Sequence, residues 1–154
     1  MKLSRKADYA LRILITLAAR FGESPISLSE LARMNDAPKR FLEHIVLDLK
    51  SQGWIESSPG RKGGYVLAQP PEQITMGQVI RFFDGVIAPS PCVSTSAHRP
   101  CSQARLCRFR RVLLEIRNFA SRYLDNMTLA RLIDLDPVED HEVFALELAS
   151  GDGI

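Results

Sequence analysis

Between Ser27 and Ala68 the start and stop signals fall too close together for anything but two short helices followed by a hairpin. Ser27-Leu-Ser-Glu30 is a capping-box pattern, in which each end residue satisfies the other's orphan backbone donor. The helix it opens is brief, because Asn35-Asp36-Ala37-Pro38 breaks the periodicity about seven residues, or two turns, later. Pro38 suits the first position of a second helix, where its missing N–H costs nothing. Phe41, Leu42, Ile45, Val46 and Leu49 form that helix's apolar stripe, and Gly53 ends it. Trp54–Ser57 and Tyr65–Ala68 read as two short strands. Between them runs Ser58-Pro-Gly-Arg-Lys-Gly-Gly64, rich in turn formers and too polar for a core.

A helix over residues 4–21 precedes this unit, with Ala10, Ile13, Leu14, Leu17, Ala18 and Phe21 at helical spacing and Gly22 as its stop. Helix, short helix, turn, helix and hairpin is the order of a winged helix-turn-helix. In that arrangement the short helix braces the next one, whose exposed face enters a major groove roughly 12 Å wide. Lys39, Arg40, Glu43 and His44 stand off the apolar stripe and are the candidate reading face, with Ser27 and Ser29 at the start of the brace. Lys39 and Arg40 suit phosphates or guanine edges, and Glu43 suits the amino group of cytosine. On spacing alone Glu43 reads first as a solvated surface carboxylate. The wing offers Arg61, Lys62 and Gly63 on a glycine-flanked tip, where positive φ permits close approach to a phosphate. Alone, that tip is also an ordinary hairpin turn.

Charge is consistent with a polyanionic partner. Residues 1–70 carry 11 Lys/Arg against 7 Asp/Glu (net +4), residues 71–124 carry 8 against 3 (net +5), and residues 125–154 carry 1 against 8 (net −7). A basic body that neutralises phosphates releases counterions and gains affinity for duplex DNA. No run of about 18 apolar residues exists, and Met1–Asp8 is charged where a secretion signal is apolar, so the chain reads as cytoplasmic with no membrane partner. There is no C-x-x-C pair, phosphate-cradling loop, HExxH or Ser/His/Asp candidate set, and the chain does not read as an enzyme.

Beyond Pro70-Pro71, Thr75-Met-Gly-Gln78 is a second capping box. It opens a short helix through Phe83, with Met76, Val79, Ile80 and Phe83 inward. Residues 84–102 show no periodicity, and a stretch of that length inside a domain is usually functional or disordered. Helical order returns over 104–124, with Phe109, Val112, Leu113, Ile116, Ala120 and Tyr123 on one stripe. That stripe is wide enough to call for a symmetry mate. A small helix near Thr128–Ile133 follows, and the acidic end frays. The predicted organisation is a winged helix-turn-helix domain over 1–70, a connecting helix and cysteine-bearing loop over 71–103, a dimerisation helix and short helix over 104–134, and an acidic tail over 135–154.

Cys92, Cys101 and Cys107 all fall in or beside the irregular stretch. An odd number of cysteines argues against a disulfide framework and leaves metal, redox or structural roles. Three thiolates on a loop can wrap a cluster, because they converge as a straight helix cannot make them do. Two competing readings stay open: the same fold sensing by thiol oxidation alone, and a winged-helix module that binds protein rather than DNA, which a salt dependence of duplex binding would separate.

The run Phe41-Leu-Glu-His-Ile45, then Gly53-Trp-Ile55, Gly63-Gly-Tyr-Val-Leu-Ala68, Ile74-Thr-Met76 and Val79-Ile80 resembles the IscR/NsrR, or Rrf-two, family of regulators. Arg5-Lys-Ala-Asp-Tyr-Ala-Leu-Arg12 is similar to that family's opening helix, and the resemblance spans residues 1 to about 124. It implies a homodimeric, mainly α, winged-helix DNA binder on a palindromic operator, with a long C-terminal dimerisation helix. It also implies a cysteine-ligated iron–sulfur cluster, two-iron or four-iron, that tunes operator affinity, ligated here by Cys92, Cys101 and Cys107. Some relatives add a carboxylate from the partner's first helix, which maps onto Asp8. Others use a histidine three residues after the last cysteine, where this chain has Arg110. His98, inside the cysteine span, is the local alternative. Two features depart from the family's pattern. The gap between Cys92 and Cys101 is longer than in its better-known members, and Pro59-Gly60 stands where the wing commonly has Arg-Gly, which moves that contact to Arg61 or Lys62.

Overall fold

The computed structural model describes residues 2–60 and 62–144. Its centre is α1 (Arg5–Ala18), which turns Ala7, Ala10, Leu11, Ile13, Leu14, Leu17 and Ala18 inward at helical spacing. Ser4 caps it, its Oγ accepting from the Ala7 N–H at 3.1 Å. The helix stops at Ala18, short of the predicted Phe21. The chain turns through Gly22 at φ +84°, and Phe21 is left facing solvent. Fully burying each Leu or Ile of α1 is worth about 1.5–3 kcal/mol, so this stripe organises everything packed on it.

Two helices complete the helix-turn-helix. α2 (Leu28–Met34) begins at Ser27, whose Oγ accepts from the Glu30 N–H at 3.2 Å. Among the described residues only that half of the capping box forms. The turn that follows places Asp36 at φ +46°, a conformation that a short polar side chain tolerates. Asn35 is buried beneath it, accepting from Thr16 Oγ1 at 3.0 Å and donating to the Leu31 carbonyl at 2.9 Å. α3 (Lys39–Ser51) buries Leu42, Ile45, Val46 and Leu49. Pro38 sits one position earlier than predicted. Its ψ of 122° keeps it outside the helix while its carbonyl accepts the first helical bonds.

The wing is an antiparallel pair, β1 (Ile55–Ser58) and β2 (Gly64–Leu67), with Ile55 opposite Leu67 and Ser58 opposite Gly64. It is tied to the helix pair. Ile26, just ahead of α2, bridges Tyr65 through two backbone hydrogen bonds of 3.0 and 2.8 Å. Gly64 is pressed so closely on this segment that a Cβ there would lie 2.3 Å from the Ile26 carbonyl oxygen.

α4 (Met76–Asp84) opens with the complete capping box of Thr75 and Gln78. α5 (Phe109–Asp125) begins five residues later than the periodicity predicts, because residues 102–106 close into turns onto the Cys101 and Gln103 carbonyls. Arg81 of α4 pairs with Asp125 at the end of α5, and the two helices pack closely enough that a Cβ on Gly77 would strike Asp125. α6 (Leu129–Ile133) then returns to pack on α1. The Leu129 N–H bonds the Ile74 carbonyl at 2.9 Å, and its side chain is fully buried in the core with Leu14 and Leu17. A short α7 (Asp140–Phe144) lies in the acidic region predicted to fray, and the rest of that tail falls outside the described residues. No described helix is long and apolar enough to cross a membrane. The result is a mainly helical winged helix-turn-helix with one two-stranded wing, as the order of sequence signals predicts.

Candidate nucleic-acid interface and cysteine site

α3 keeps its apolar stripe inside, so the four polar residues on its other side face solvent. Lys39, Arg40, Glu43 and His44 are all exposed, as are Ser27 and Ser29 at the start of α2. Lys62 is exposed on the wing tip and Gly63 is half-buried, while Arg61 lies outside the described residues. Gly63 has a steric reason to be glycine, since a Cβ would fall 2.3 Å from the Ser58 carbonyl oxygen. The wing and α3 are also linked directly, Lys50 Nζ at the end of α3 donating to Ser57 Oγ at 2.8 Å.

One basic residue of this face was not among the predicted contacts. A groove of about 420 Å³ between α1 and α3 is lined by Arg5, Tyr9, Pro38, Arg40, Phe41 and His44. Tyr9 and Phe41 form its apolar wall, edge to face at 5.5 Å between centroids. Arg5 thus joins Arg40 and His44 on one concave surface. In the sequence it is only a charge at a helix start, thirty-five residues from Arg40.

The three thiols are free and share a second region. Cys92 lies in a 3-10 turn (Pro91–Val93), Cys101 in the exposed loop, and Cys107 two residues before α5 rather than on it. All three line one cavity of about 270 Å³, together with Arg99. Cys92 and Cys107 also line an adjoining cavity of about 460 Å³ with His98, Arg110, Arg111 and Arg117. Among the described residues no group of three His, Cys, Asp or Glu converges closely enough to hold a single metal ion. The three cysteines do border one cavity, and they are the residues that would supply the thiolates of a cluster there.

The loop that carries them is anchored to α5 by two arginines. Arg110 donates from Nε and Nη2 to the Cys92 carbonyl at 3.2 and 2.9 Å, and Arg117 donates from Nη1 to the Val93 carbonyl at 2.9 Å. At its other end the loop is held by Ser96, whose Oγ accepts from the Val86 N–H at 3.0 Å. Asp8 is elsewhere, half-buried on α1, with both oxygens on the guanidinium of Arg12 at 3.1 and 2.9 Å.

α5 itself buries no residue in the single chain. Phe109 and Phe119 are 69% and 64% exposed, and Val112, Ile116 and Tyr123 are exposed with them. An apolar groove of about 430 Å³ between α4 and α5 continues this surface toward Leu3.

A family model described as Rrf2, iron-dependent transcriptional regulator, matches residues 3–135. An rrf2-like HTH-type transcriptional regulator of Rhodobacter capsulatus is 37% identical over 137 residues, which cover 85% of this chain and 91% of that one. The HTH-type transcriptional regulator CymR of Bacillus subtilis is 36% identical over 132 residues, 86% of this chain and 89% of CymR. The solved structure of that CymR, the global cysteine regulator of its organism, superposes with a TM-score of 0.74 at 34% identity, over 89% of this chain and 99% of that one. The HTH-type transcriptional regulator NsrR of Geobacillus kaustophilus is 32% identical over 134 residues, 87% of this chain and 90% of NsrR.

Proposed function

The chain belongs to the Rrf2 family of DNA-binding transcription regulators, and on that premise we propose that it works as a homodimer whose operator affinity depends on an iron–sulfur cluster held by Cys92, Cys101 and Cys107. One observation carries the sensing half of this reading. The three thiols border a single cavity, and the backbone beside it is bonded directly to α5. α5 is also the helix with an unpartnered apolar stripe, so it is the element through which two copies pair. A cluster bound there supplies a centre that responds to iron supply and oxidation.

What the chain's own residues do follows from that arrangement. Arg110 and Arg117 transmit the position of the Cys92–Val93 backbone to α5, and α5 sets the separation of two α3 helices in a dimer. Lys39, Arg40 and Arg5 meet phosphates or base edges at the groove wall, with Ser27 and Ser29 at the phosphate backbone. Glu43 and His44 face the bases, and the wing tip of Arg61, Lys62 and Gly63 reaches the neighbouring backbone. Half-sites then lie about 34–36 Å apart, or a multiple of that, on a palindromic operator. The experiment is a comparison of operator affinity for cluster-loaded, cluster-free and triple Cys→Ser protein. A difference between the first and the other two supports the reading, and equal affinity in all three removes the sensing claim while leaving DNA binding intact.

A second reading has its own support. The likeness to a protein described as a cysteine regulator, together with three free thiols, favours sensing by thiol oxidation without a cluster. Colour separates the two. Anaerobically purified protein with visible absorbance, iron and sulfide holds a cluster, and colourless protein does not.

A further inference from the structure

Residues 98–117 carry six arginines against one acid, Glu115. Among the described residues none of these arginines forms an ion pair, and Glu115, one turn beyond Arg111, does not reach it. Three of them, Arg110, Arg111 and Arg117, line the cavity of about 460 Å³ between the Cys92 turn and α5, and no Asp or Glu lines it. Guanidinium groups gathered without a counter-charge repel one another, and their planar N–H forks match the oxygens of a carboxylate or phosphate. We infer that this cavity binds a small molecule through an oxyanion group, either phosphate or carboxylate. The inference requires neither a cluster nor operator binding.

Two of the three forks are fixed before any ligand arrives. Arg110 donates to the Cys92 and Ala104 carbonyls, and Arg117 donates to the Val93 carbonyl and to Asn118 Oδ1. A guanidinium has five N–H donors, so each keeps N–H groups for a ligand. Arg111 is exposed and makes no side-chain hydrogen bond among the described residues, which leaves its whole fork to offer. Side chains already held in place lose little freedom on binding, and the cavity is of a size that takes a small molecule.

The cavity lies away from the apolar stripe of α5. At about 100° per residue, Arg110, Leu114 and Arg117 fall on the side of the helix opposite Phe109, Val112, Ile116, Phe119 and Tyr123. A second copy seated on that stripe therefore packs on the other side of the helix. Arg110 and Arg117 also hold the backbone of Cys92 and Val93, so an anion engaging them tightens the turn that carries the first thiol. That gives the regulator an input separate from its cysteine chemistry.

The test is calorimetric. Full-length protein is titrated with inorganic phosphate and, separately, with malonate, at fixed pH and at an ionic strength held constant with chloride. The expected result is saturable binding of at least one of them, and the two arms tell a phosphate ligand from a carboxylate. Arg111→Ala should weaken that binding by about tenfold or more, the loss expected for a charge-assisted contact. Arg105→Ala, an exposed arginine outside the cavity, should leave it unchanged. Absence of saturable binding by either anion overturns the site, and so does binding that survives Arg111→Ala or falls equally in both variants. If wild-type protein binds neither anion while Arg111→Ala flattens the salt dependence of operator binding, these arginines belong to the duplex contact instead. The outcome is the same whether or not the protein holds iron and sulfide, so failure here leaves the cluster reading standing.

Discussion

The guanidinium of Arg110, in the first turn of α5, donates two hydrogen bonds to the carbonyl oxygen of Cys92, eighteen residues earlier in the chain. A half-buried arginine is thereby spent on backbone, and the loop that bears the first thiol moves only if α5 or this contact moves with it. Removing the side chain by Arg110→Ala should cost about 1.5–3 kcal/mol of local stability, the range for hydrogen bonds to a charged group. Amide exchange of residues 92–94 should quicken, with little change in α1. Unchanged exchange there would show that the contact does not hold the loop.

The wing depends on the close approach of Gly64 to Ile26. Gly64→Ala puts a Cβ 2.3 Å from a backbone carbonyl that cannot swing away, so we expect a loss of about 1–3 kcal/mol in urea unfolding. Gly60→Ala meets open space, but at φ +113° it carries backbone strain alone and should cost about 1 kcal/mol. Equal losses at the two glycines would contradict the contact.

Asn35 locks the turn between α2 and α3 to α1 through Thr16. Thr16→Val removes the donor and leaves a buried amide oxygen short of its partner, which should destabilise the protein by roughly 1–3 kcal/mol. Operator affinity should fall at constant salt slope, because the phosphate contacts are untouched while the two helices lose their fixed angle. Equilibrium unfolding and a salt titration of binding check the two halves separately.

Lys39, Arg40 and Lys62 are exposed, and Arg5 faces the groove beside Arg40. Replacing any of them by Ala should leave the unfolding free energy within about 0.5 kcal/mol of wild type. Each replacement should flatten the dependence of log K on log salt by about 0.9 for every phosphate that is no longer neutralised. Glu43→Gln should behave differently, relaxing preference at one base position with no change of slope. If Arg5→Ala keeps the wild-type slope, the α1–α3 groove does not meet the duplex.

No residue of α5 is fully buried within one chain, and Ile116 and Phe119 face solvent, so a charge placed on that stripe spares the protomer and strikes the proposed pairing surface. Phe119→Glu should give a folded monomer by sedimentation, with helical circular dichroism retained and operator affinity reduced by at least tenfold, about 1.4 kcal/mol or more. A dimer that survives Phe119→Glu and Ile116→Glu together would place the pairing elsewhere.

Local chemistry was enough to reveal the order of elements. The Ser27 cap, the Asn35–Pro38 break, the stripe from Phe41 to Leu49 and the glycine-rich turn each act within one or two turns of chain, so their spacing alone marks a winged helix-turn-helix. The polar face of α3 was legible for the same reason, since period and apolar stripe together leave one side for solvent. Where the periodicity overran, at Phe21 and at residues 104–108, the cause was a turn whose hydrogen bonds outcompeted helix continuation.

Contacts between distant residues were decided only by packing. Nothing near Arg5 in sequence announces the groove it shares with Arg40, and nothing near Arg110 announces the Cys92 carbonyl. Leu129 reads as part of a peripheral helix, yet it fills the core beside α1, because the strand-like pairing of Thr75 with Thr128 carries it there. A sequence encodes which faces are apolar and where the backbone stops, since those are properties of neighbours along the chain. Which face meets which, and which side chain reaches a carbonyl eighteen or thirty-five residues away, depends on how all the apolar stripes are buried at once.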